Sequence, residues 1–341
     1  ADTPEEFAEK IFLLYTNNDL WLKISECGRN FIKDNYSVEK VSKIIAEILE
    51  DLIKEKSIIR LLPDEKQIIK GLTSIVILTF NEIKYTKQCF DSIIKYTSEP
   101  YEIIFIDNGS TDGTVKWLRE LAIKNQNIKF IENKTNLGFA KGCNQGINLA
   151  SGEYILLLNN DVIVTEGWLS GLLECLQKDN YSGIVGPMTN NISGSQRVVD
   201  YKDISVENLP EYSKIFRESN RNRRIFIRRV AGFCMLFRRD LIRKIGMFDE
   251  SFGSGNYEDD DICLRAILAG YKNYIAGDVF IYHYGSRSFK GNGIDYRKAM
   301  ERNQKIFKNK WTIENNGEHG RNLYLIKLLE KADILRQKGK F

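Results

Sequence analysis

Along the first 56 residues the apolar positions keep helical spacing. Val38, Val41, Ile44, Ile45, Ile48, Leu49, Leu52 and Ile53 recur every three to four residues, which draws one stripe along a helix. Ser37 stands ahead of that run as an N-cap, and Glu39 puts an anion in the first turn, where the helix dipole favours it. Phe7, Ile11 and Leu14 suggest an earlier short helix, and Leu20 to Phe31 another. This stretch reads as helical packing without chemistry. After Leu72 the period changes. Ser74–Phe80 (SIVILTF) is a β-branched run ending at Asn81, followed by a helical pattern from Ile83 to Tyr96. Tyr101–Ile106, Ile128–Ile131 and Glu153–Leu158 are further buried strands. Strands alternating with helices predict βαβ units and a mainly parallel sheet. From about Asn190 to Arg229 the pattern loosens around Arg221, Arg223, Arg224, Arg228 and Arg229. Order returns at Val230–Phe237, a helix near Glu258, a strand at Val279–Tyr282 and a C-terminal helical stretch.

Composition narrows the class. With 341 residues, 43% hydrophobic and 28% charged, the chain has room for one large α/β domain and an appendage. Fifty Lys and Arg against 46 Asp and Glu leave a net charge of +4, which does not argue for nucleic acid as a partner. The six cysteines are widely spaced and form no CxxC pair, so they read as buried reduced thiols rather than a zinc site or disulfide framework. No stretch approaches the roughly 18 apolar residues of a spanning helix. The expectation is a cytoplasmic protein, with peripheral contact at the inner membrane face left open.

In open α/β sheets, ligands sit beyond the carboxyl ends of the strands. Three successive strand ends deliver polar residues: Thr79 and Asn81, then Asp107 and Asn108, then Asn159, Asn160 and Asp161. Asp107 to Thr114 (DNGSTDGT) alone is as well explained by a capped strand–helix turn. Gly138, Gly142 and Gly146 share a helix face, where either a neighbouring strand or a bound donor approaches closely. Asp161 follows an apolar strand, and hard oxygen ligands of this kind suit Mg2+ or Mn2+. Among Glu258-Asp259-Asp260-Asp261, Asp261 can pair with Arg265, which leaves Glu258 or Asp259 as the candidate base. His283 ends a strand, and such a histidine is more often structural than a ligand.

Together SIVILTFNE, IDNGSTDGT, NLGFAKGCNQGI, SGEYILLLNNDV, VAGFCMLFRRDLIRKIGMFDESF and YEDDDICLRA resemble the inverting family 2 glycosyltransferases with a GT-A fold, in order and spacing, over about Thr73 to Arg287. That resemblance implies an α/β GT-A nucleotide-sugar-binding fold, a mainly parallel central sheet flanked by helices, plus an N-terminal helical segment. It implies that Thr79 and Asp107 hold the nucleotide base and ribose. Phe80, Asn81, Glu82, Asn108, Gly138, Lys141, Asn159 and Asn160 join them on the donor side. Asn159-Asn160-Asp161 matches the metal-binding DXD motif, with Asn159 at its usually acidic first position, as in a rhamnosyltransferase-like branch. Glu258-Asp259 matches the ED motif, whose Asp is the expected base, and His283 matches a histidine that helps hold the metal in some members.

The expected reaction is an inverting single displacement. It moves a sugar from a nucleoside-diphosphate donor, UDP- or dTDP-linked, to a glycan, lipid-linked or protein hydroxyl, as in surface glycan assembly, with Mn2+ or Mg2+ as cofactor. A nucleotidyltransferase and a silent sugar-nucleotide-binding module are the alternatives. The expected boundaries are 1–60 for a helical segment, 72–315 for the GT-A domain and 316–341 for a C-terminal helix. Residues 1–56 resemble the C-terminal helices of a family 4, GT-B glycosyltransferase, so a second glycosyltransferase domain is a conceivable companion in a longer chain.

Overall fold

The computed structural model describes residues 17–36, 68–198, 204–253, 255–285 and 296–311, with Thr3, Glu6, Lys10, Leu13 and Thr16. Two compact units emerge, 1–62 and 63–341. In the first, helix α1 (Asn18–Tyr36) covers the expected Leu20–Phe31 helix. The Ser37 cap, the stripe from Val38 to Ile53 and the helix expected at 316–341 lie outside the described residues.

The second unit opens with the predicted alternation. Strands β1 (Ile69–Thr79), β2 (Tyr101–Asp107), β3 (Ile128–Glu132) and β4 (Gly152–Asn159) are separated by helices α2 (Ile83–Tyr96), α3 (Thr114–Lys124) and α4 (Phe139–Leu149). There follow β5 (Val162–Ile163), α5 (Trp168–Gln177), β6 (Ser182–Thr189), α6 (Leu209–Ser219), β7 (Arg224–Ile227), β8 (Cys234–Arg238) and α7 (Arg239–Ile245). Helix α8 (Glu258–Leu268), β9 (Lys272–His283) and α9 (Tyr296–Trp311) complete the described elements.

The sheet runs β3-β2-β1-β4-β8-β6-β9-β5, with β7 also on β9. Strands β3, β2, β1, β4, β6 and β9 point one way, while β8, β7 and β5 run against them. The sheet is therefore mixed, and the parallel pattern read from the sequence belongs to its first half. Strands covered on both faces need apolar side chains at every position. Ile75, Ile77, Ile103, Phe105, Leu156 and Leu158 supply them on one face, packed with Trp168 and Leu172 of α5.

Two registers matter for function. Thr79 pairs with Asp107, and Leu78 with Asn159, so the carboxyl ends of β1, β2 and β4 finish level. In the other half, Val162 of β5 lies opposite His283 of β9, which brings the end of β9 beside the residue preceding β5. Helix α4 sits close on β1 because Gly142 and Gly146 face it. A Cβ on Gly142 would come 2.7 Å from Leu78 Cδ2, and one on Gly146 2.2 Å from Val76 Cγ1. Of the two readings of the glycine series, the neighbouring strand therefore explains these two.

Candidate active site

A cleft of about 440 Å3 opens at the carboxyl ends of β1 and β4 and is closed on the far side by the start of α8. Ten of the fourteen residues expected at the site line it. Thr79, Phe80, Asn108 and Gly138 come from one side, Asn159, Asn160 and Asp161 from the end of β4, and Glu258, Asp259 and His283 from the second half of the unit. Phe139, Ile192, Phe233, Tyr257 and Met300 add an apolar wall.

Asn81, Glu82, Asp107 and Lys141 do not line it. Asp107 is fully buried: Oδ1 accepts from Gly109 N at 3.0 Å and Ser110 N at 2.8 Å, and Oδ2 from Thr79 Oγ1 at 3.0 Å. Asn81 turns its side chain to the same loop, where Oδ1 accepts from Thr111 N at 2.8 Å. Asp112 stitches the two turns together, taking the first amide of α2 (Ile83 N, 2.8 Å) on one oxygen and Thr114 N (3.1 Å) on the other. Asn81 and Glu82 hold φ of 56° and 61°, a strained left-handed turn that aims the chain out of β1 beside Phe80. Lys141 is exposed on α4. Asn81, Asp107 and Asp112 thus brace the turns beside the cleft.

Asn108 joins floor to wall: its Nδ2 donates to Gly138 O at 3.2 Å, and its Oδ1 accepts from Asn133 at 3.0 Å. Asn160 directs its amide at Thr86 Oγ1, 2.9 Å away on α2.

Asp161 and His283 meet directly. His283 Nε2 stands 3.2 Å from Asp161 Oδ1, without hydrogen-bond geometry, and has no hydrogen-bond partner although buried. The other ring nitrogen, Nδ1, lies 2.8 Å from Asn191 O. A carbonyl only accepts, so Nδ1 carries a proton, which leaves Nε2 as the ring nitrogen that could ligate a metal. Asn190 holds the same residue by its backbone, accepting from His283 N at 2.8 Å and donating to His283 O at 3.2 Å. Phe233 stacks on the imidazole at 5.1 Å between centroids.

This pair fits a divalent cation. Neighbouring donors on an ion with bonds of roughly 2.1 Å stand about 3 Å apart, close to the observed 3.2 Å. Among the described residues no group of three His, Cys, Asp or Glu is suited to a metal. The protein can therefore contribute an oxygen and a nitrogen side by side, leaving room for other oxygens. Though they end separate stretches of chain, the two donors are adjacent.

On the far side, Asp259 is held from several directions. Its Oδ2 accepts from Arg229 Nη2 at 3.0 Å, Arg229 Nε at 3.3 Å and Gly232 N at 3.0 Å. Oδ1 accepts from Asp260 N at 2.9 Å and keeps a second lone pair. Glu258 differs: it is buried, its Oε2 has no partner, and burial, aided by the charge of Asp259, pushes its carboxyl well above the usual range. Asp260 is pushed up to about 7, again by burial first and Asp259 second. Of these three acids, Glu258 and Asp260 are biased towards holding protons. Asp261 pairs with Arg265 Nε at 2.9 Å, the structural role its spacing suggested.

Arg229 is the residue the sequence reading missed. Within its basic cluster, Arg224 reaches Asp179 at 2.7 Å and lies over Tyr274, while Arg223 bonds Asn220. Arg229 alone of these three turns to the cleft; burial acts to lower its pKa, but the charges of Asp259 and Asp260 outweigh it and hold the guanidinium protonated. Its place just before the VAGFCMLF strand was the available signal, but its partner is 30 residues away.

The family model described as glycosyl transferase family 2 matches residues 74–246. Thr79, Asp161 and Arg229 lie inside that span, whereas Glu258, Asp259 and His283 lie beyond it. Glycosyltransferase GlyG of Streptococcus pneumoniae serotype 4 is 25% identical over 238 residues, 67% of this chain and 76% of its own length. The poly-beta-1,6-N-acetyl-D-glucosamine synthase of Staphylococcus epidermidis is 27% identical over 212 residues, 60% of this chain and 49% of that one. An uncharacterized glycosyltransferase of Haemophilus influenzae is 35% identical over 115 residues, 34% of this chain and 36% of that one. Matched stretches thus span from about a third to three quarters of these relatives. The structure of GalNAc-T7 with UDP, GalNAc and Mn2+ superposes with a TM-score of 0.50 at 17% identity, covering 62% of this chain and 43% of that one, which shows the GT-A-like fold. With half its length matched and that fold beneath the cleft, the chain belongs to glycosyl transferase family 2.

Proposed function

We propose that the chain is a metal-dependent, inverting glycosyltransferase that moves a hexosyl or deoxyhexosyl unit from a nucleoside-diphosphate sugar to an acceptor hydroxyl. The supporting observation is one cleft in which His283 beside Asp161 shares a lining with a clamped carboxylate, Asp259. Asp259 is the general base. It accepts the acceptor's proton on Oδ1 as that oxygen attacks the anomeric carbon and the bond to the diphosphate breaks. Arg229 and Gly232 N–H fix the other oxygen, so the carboxylate needs little reorganisation. Glu258 keeps its proton and serves as a donor to a substrate oxygen rather than as a second base. Asp161 and His283 hold the cation, with nitrogen ligation favouring Mn2+ over Mg2+. When bound, the cation neutralises charge on the leaving nucleoside diphosphate. Attack opposite the leaving group, with no covalent sugar–enzyme intermediate, inverts the anomeric centre.

The test is a panel of UDP- and dTDP-linked hexoses and deoxyhexoses, with GDP-mannose, assayed for nucleoside diphosphate release in Mn2+ and in EDTA. Release of nucleoside diphosphate in Mn2+ alone is expected. Pyrophosphate release would indicate nucleotidyl transfer, donor binding without turnover a silent module, and equal rates in EDTA would end the metal assignment.

A further inference from the structure

Helix α9 lies beyond the residues matched by the family model, yet it grips the segment that carries the proposed base. Asn303 is fully buried in α9, and its Nδ2 donates to three main-chain carbonyls: Phe252 at 2.6 Å, Gly255 at 2.8 Å and Asn256 at 3.1 Å. The orientation of this amide follows from chemistry, because its oxygen in that place would face three other oxygens. An amide has two N–H bonds, so one hydrogen is shared.

Those carbonyls belong to the turn that runs into α8. Asn256 and Tyr257 hold φ of 77° and 73°, a left-handed conformation that side chains other than glycine adopt only when the surroundings enforce it. Tyr257 is the N-cap of α8, and Asp259 follows two residues later. The rest of α9 reinforces the grip: the Phe307 ring packs on Tyr257 at 5.5 Å between centroids, and Trp311 Nε1 donates to Asp261 Oδ1 at 2.9 Å. Of five non-glycine residues with positive φ among the described residues, two are therefore held from a single helix and end at the proposed base.

We propose that Asn303 is a positioning residue for Asp259. Its amide holds the strained turn at Asn256 and Tyr257 and so fixes where the first turn of α8 presents the carboxylate. This rests on the reading of Asp259 as base, and the experiment separates the two.

In the full chain, Asn303→Ala and Asn303→Ser are compared with Asp259→Asn. The readouts are kcat and KM for UDP release from UDP-GlcNAc with Mn2+, or for the fastest donor of the panel, the affinity for UDP, and amide exchange along the chain. Misplacing a reacting group by an ångström costs up to about a hundredfold, so Asn303→Ala is expected to lower kcat roughly 10–100-fold. Donor KM and UDP affinity stay within about twofold, because an interaction felt only in the chemical step leaves ground-state binding alone. Asn303→Ser, which keeps one donor, falls between, and it carries the test if the Ala variant does not fold. Exchange rises over 255–261 and not in β1 to β4. An unchanged kcat overturns the proposal, as does a loss spread equally over kcat, binding and protection of the central strands. Normal turnover in Asp259→Asn removes the base assignment instead. If wild type turns over no donor, unchanged exchange over 255–261 in the variants is sufficient to overturn the lock.

Discussion

At the scale of single residues, the cleft separates three neighbouring acids by environment. Asp259 has a guanidinium and a backbone N–H on one oxygen, whereas Glu258 is buried beside the charge of Asp259 with no partner for Oε2. Asp259→Asn keeps the shape but removes the proton acceptor, so kcat is expected to fall by roughly 10²–10⁴-fold with donor affinity retained. Glu258→Gln imitates the acid already protonated and is expected to keep kcat within about tenfold. Initial rates at saturating donor and calorimetric titration with UDP check both. Near-normal turnover in Asp259→Asn together with a dead Glu258→Gln would exchange their roles. Linkage adds a second readout. A carboxyl raised above its ordinary 4.5 binds a proton in the folded chain that the unfolded chain releases. The contribution of Glu258 to stability therefore falls as pH rises from about 4.5 toward its folded pKa. Thermal unfolding of Glu258→Gln is expected to match wild type near pH 4 and to exceed it increasingly toward neutrality. A constant difference across that range would mean that Glu258 is not held protonated.

The metal pair belongs to the same scale. Because Nδ1–H is committed to Asn191 O, Nε2, beside Asp161, is the nitrogen of His283 that could ligate a cation. His283→Ala is expected to raise the Mn2+ concentration for half-maximal rate about 10–100-fold, the range for weakened metal affinity at such sites. Asp161→Ala is expected to abolish metal-dependent donor binding, with no rescue by added Mn2+. Manganese titrations of donor binding and rate test this, and an unshifted midpoint in His283→Ala would return the imidazole to a packing role.

At the scale of elements, the first half of the sheet was legible and much of the second was not. Strands β1, β2 and β4 are covered on both faces, and their continuous apolar runs end within one or two residues of the expected places. Helix α5 was not anticipated: its six buried residues do recur at helical spacing, but a run of ten residues is too short for the pattern to stand out. Strand β6 carries Gly183, Gly186 and Pro187, which argue against a central strand by local rules. The register shift between Pro187 and Met188 accommodates the proline within the sheet. In the stretch that looked irregular, α6 packs Tyr212 and Phe216 on Phe280 of β9. The site was legible to the same extent: strand-end residues were found, but sequence does not show that the Asp107 and Asn81 side chains also hold the turn between β2 and α3. The α4–β1 contact gives an element-scale test. Gly146→Ala sets a methyl 2.2 Å from Val76 Cγ1, in a core with no slack. Over-packing of this kind costs typically about 1–3 kcal/mol. Urea unfolding should show a lower midpoint with an unchanged slope. An unchanged midpoint would mean that α4 shifts freely on the sheet.

At the scale of the whole molecule, the chain divides into units 1–62 and 63–341, and every residue lining the cleft belongs to the second. In the first, α1 carries Trp21, Leu22, Ile24 and Phe31 about half exposed, and its described residues place no paired acid or lone-pair histidine together. The cleft, by contrast, is lined from the ends of β1, β4 and β9, all within one continuous sheet. The chemical step should therefore be separable from the first unit. A chain starting at Pro63 is expected to bind UDP and Mn2+ as the longer chain does and to keep kcat within about twofold, because no group that contacts substrate is removed. Solubility is a different matter, since removing a helical unit can uncover apolar surface, so the comparison must be made on folded, monodisperse protein. Calorimetry with UDP, manganese titration and rates with the fastest donor provide it. A folded truncation that binds donor normally yet transfers no sugar would make the first unit part of the acceptor side of the active site. Loss of donor binding itself would show that the second unit depends on the first for its fold.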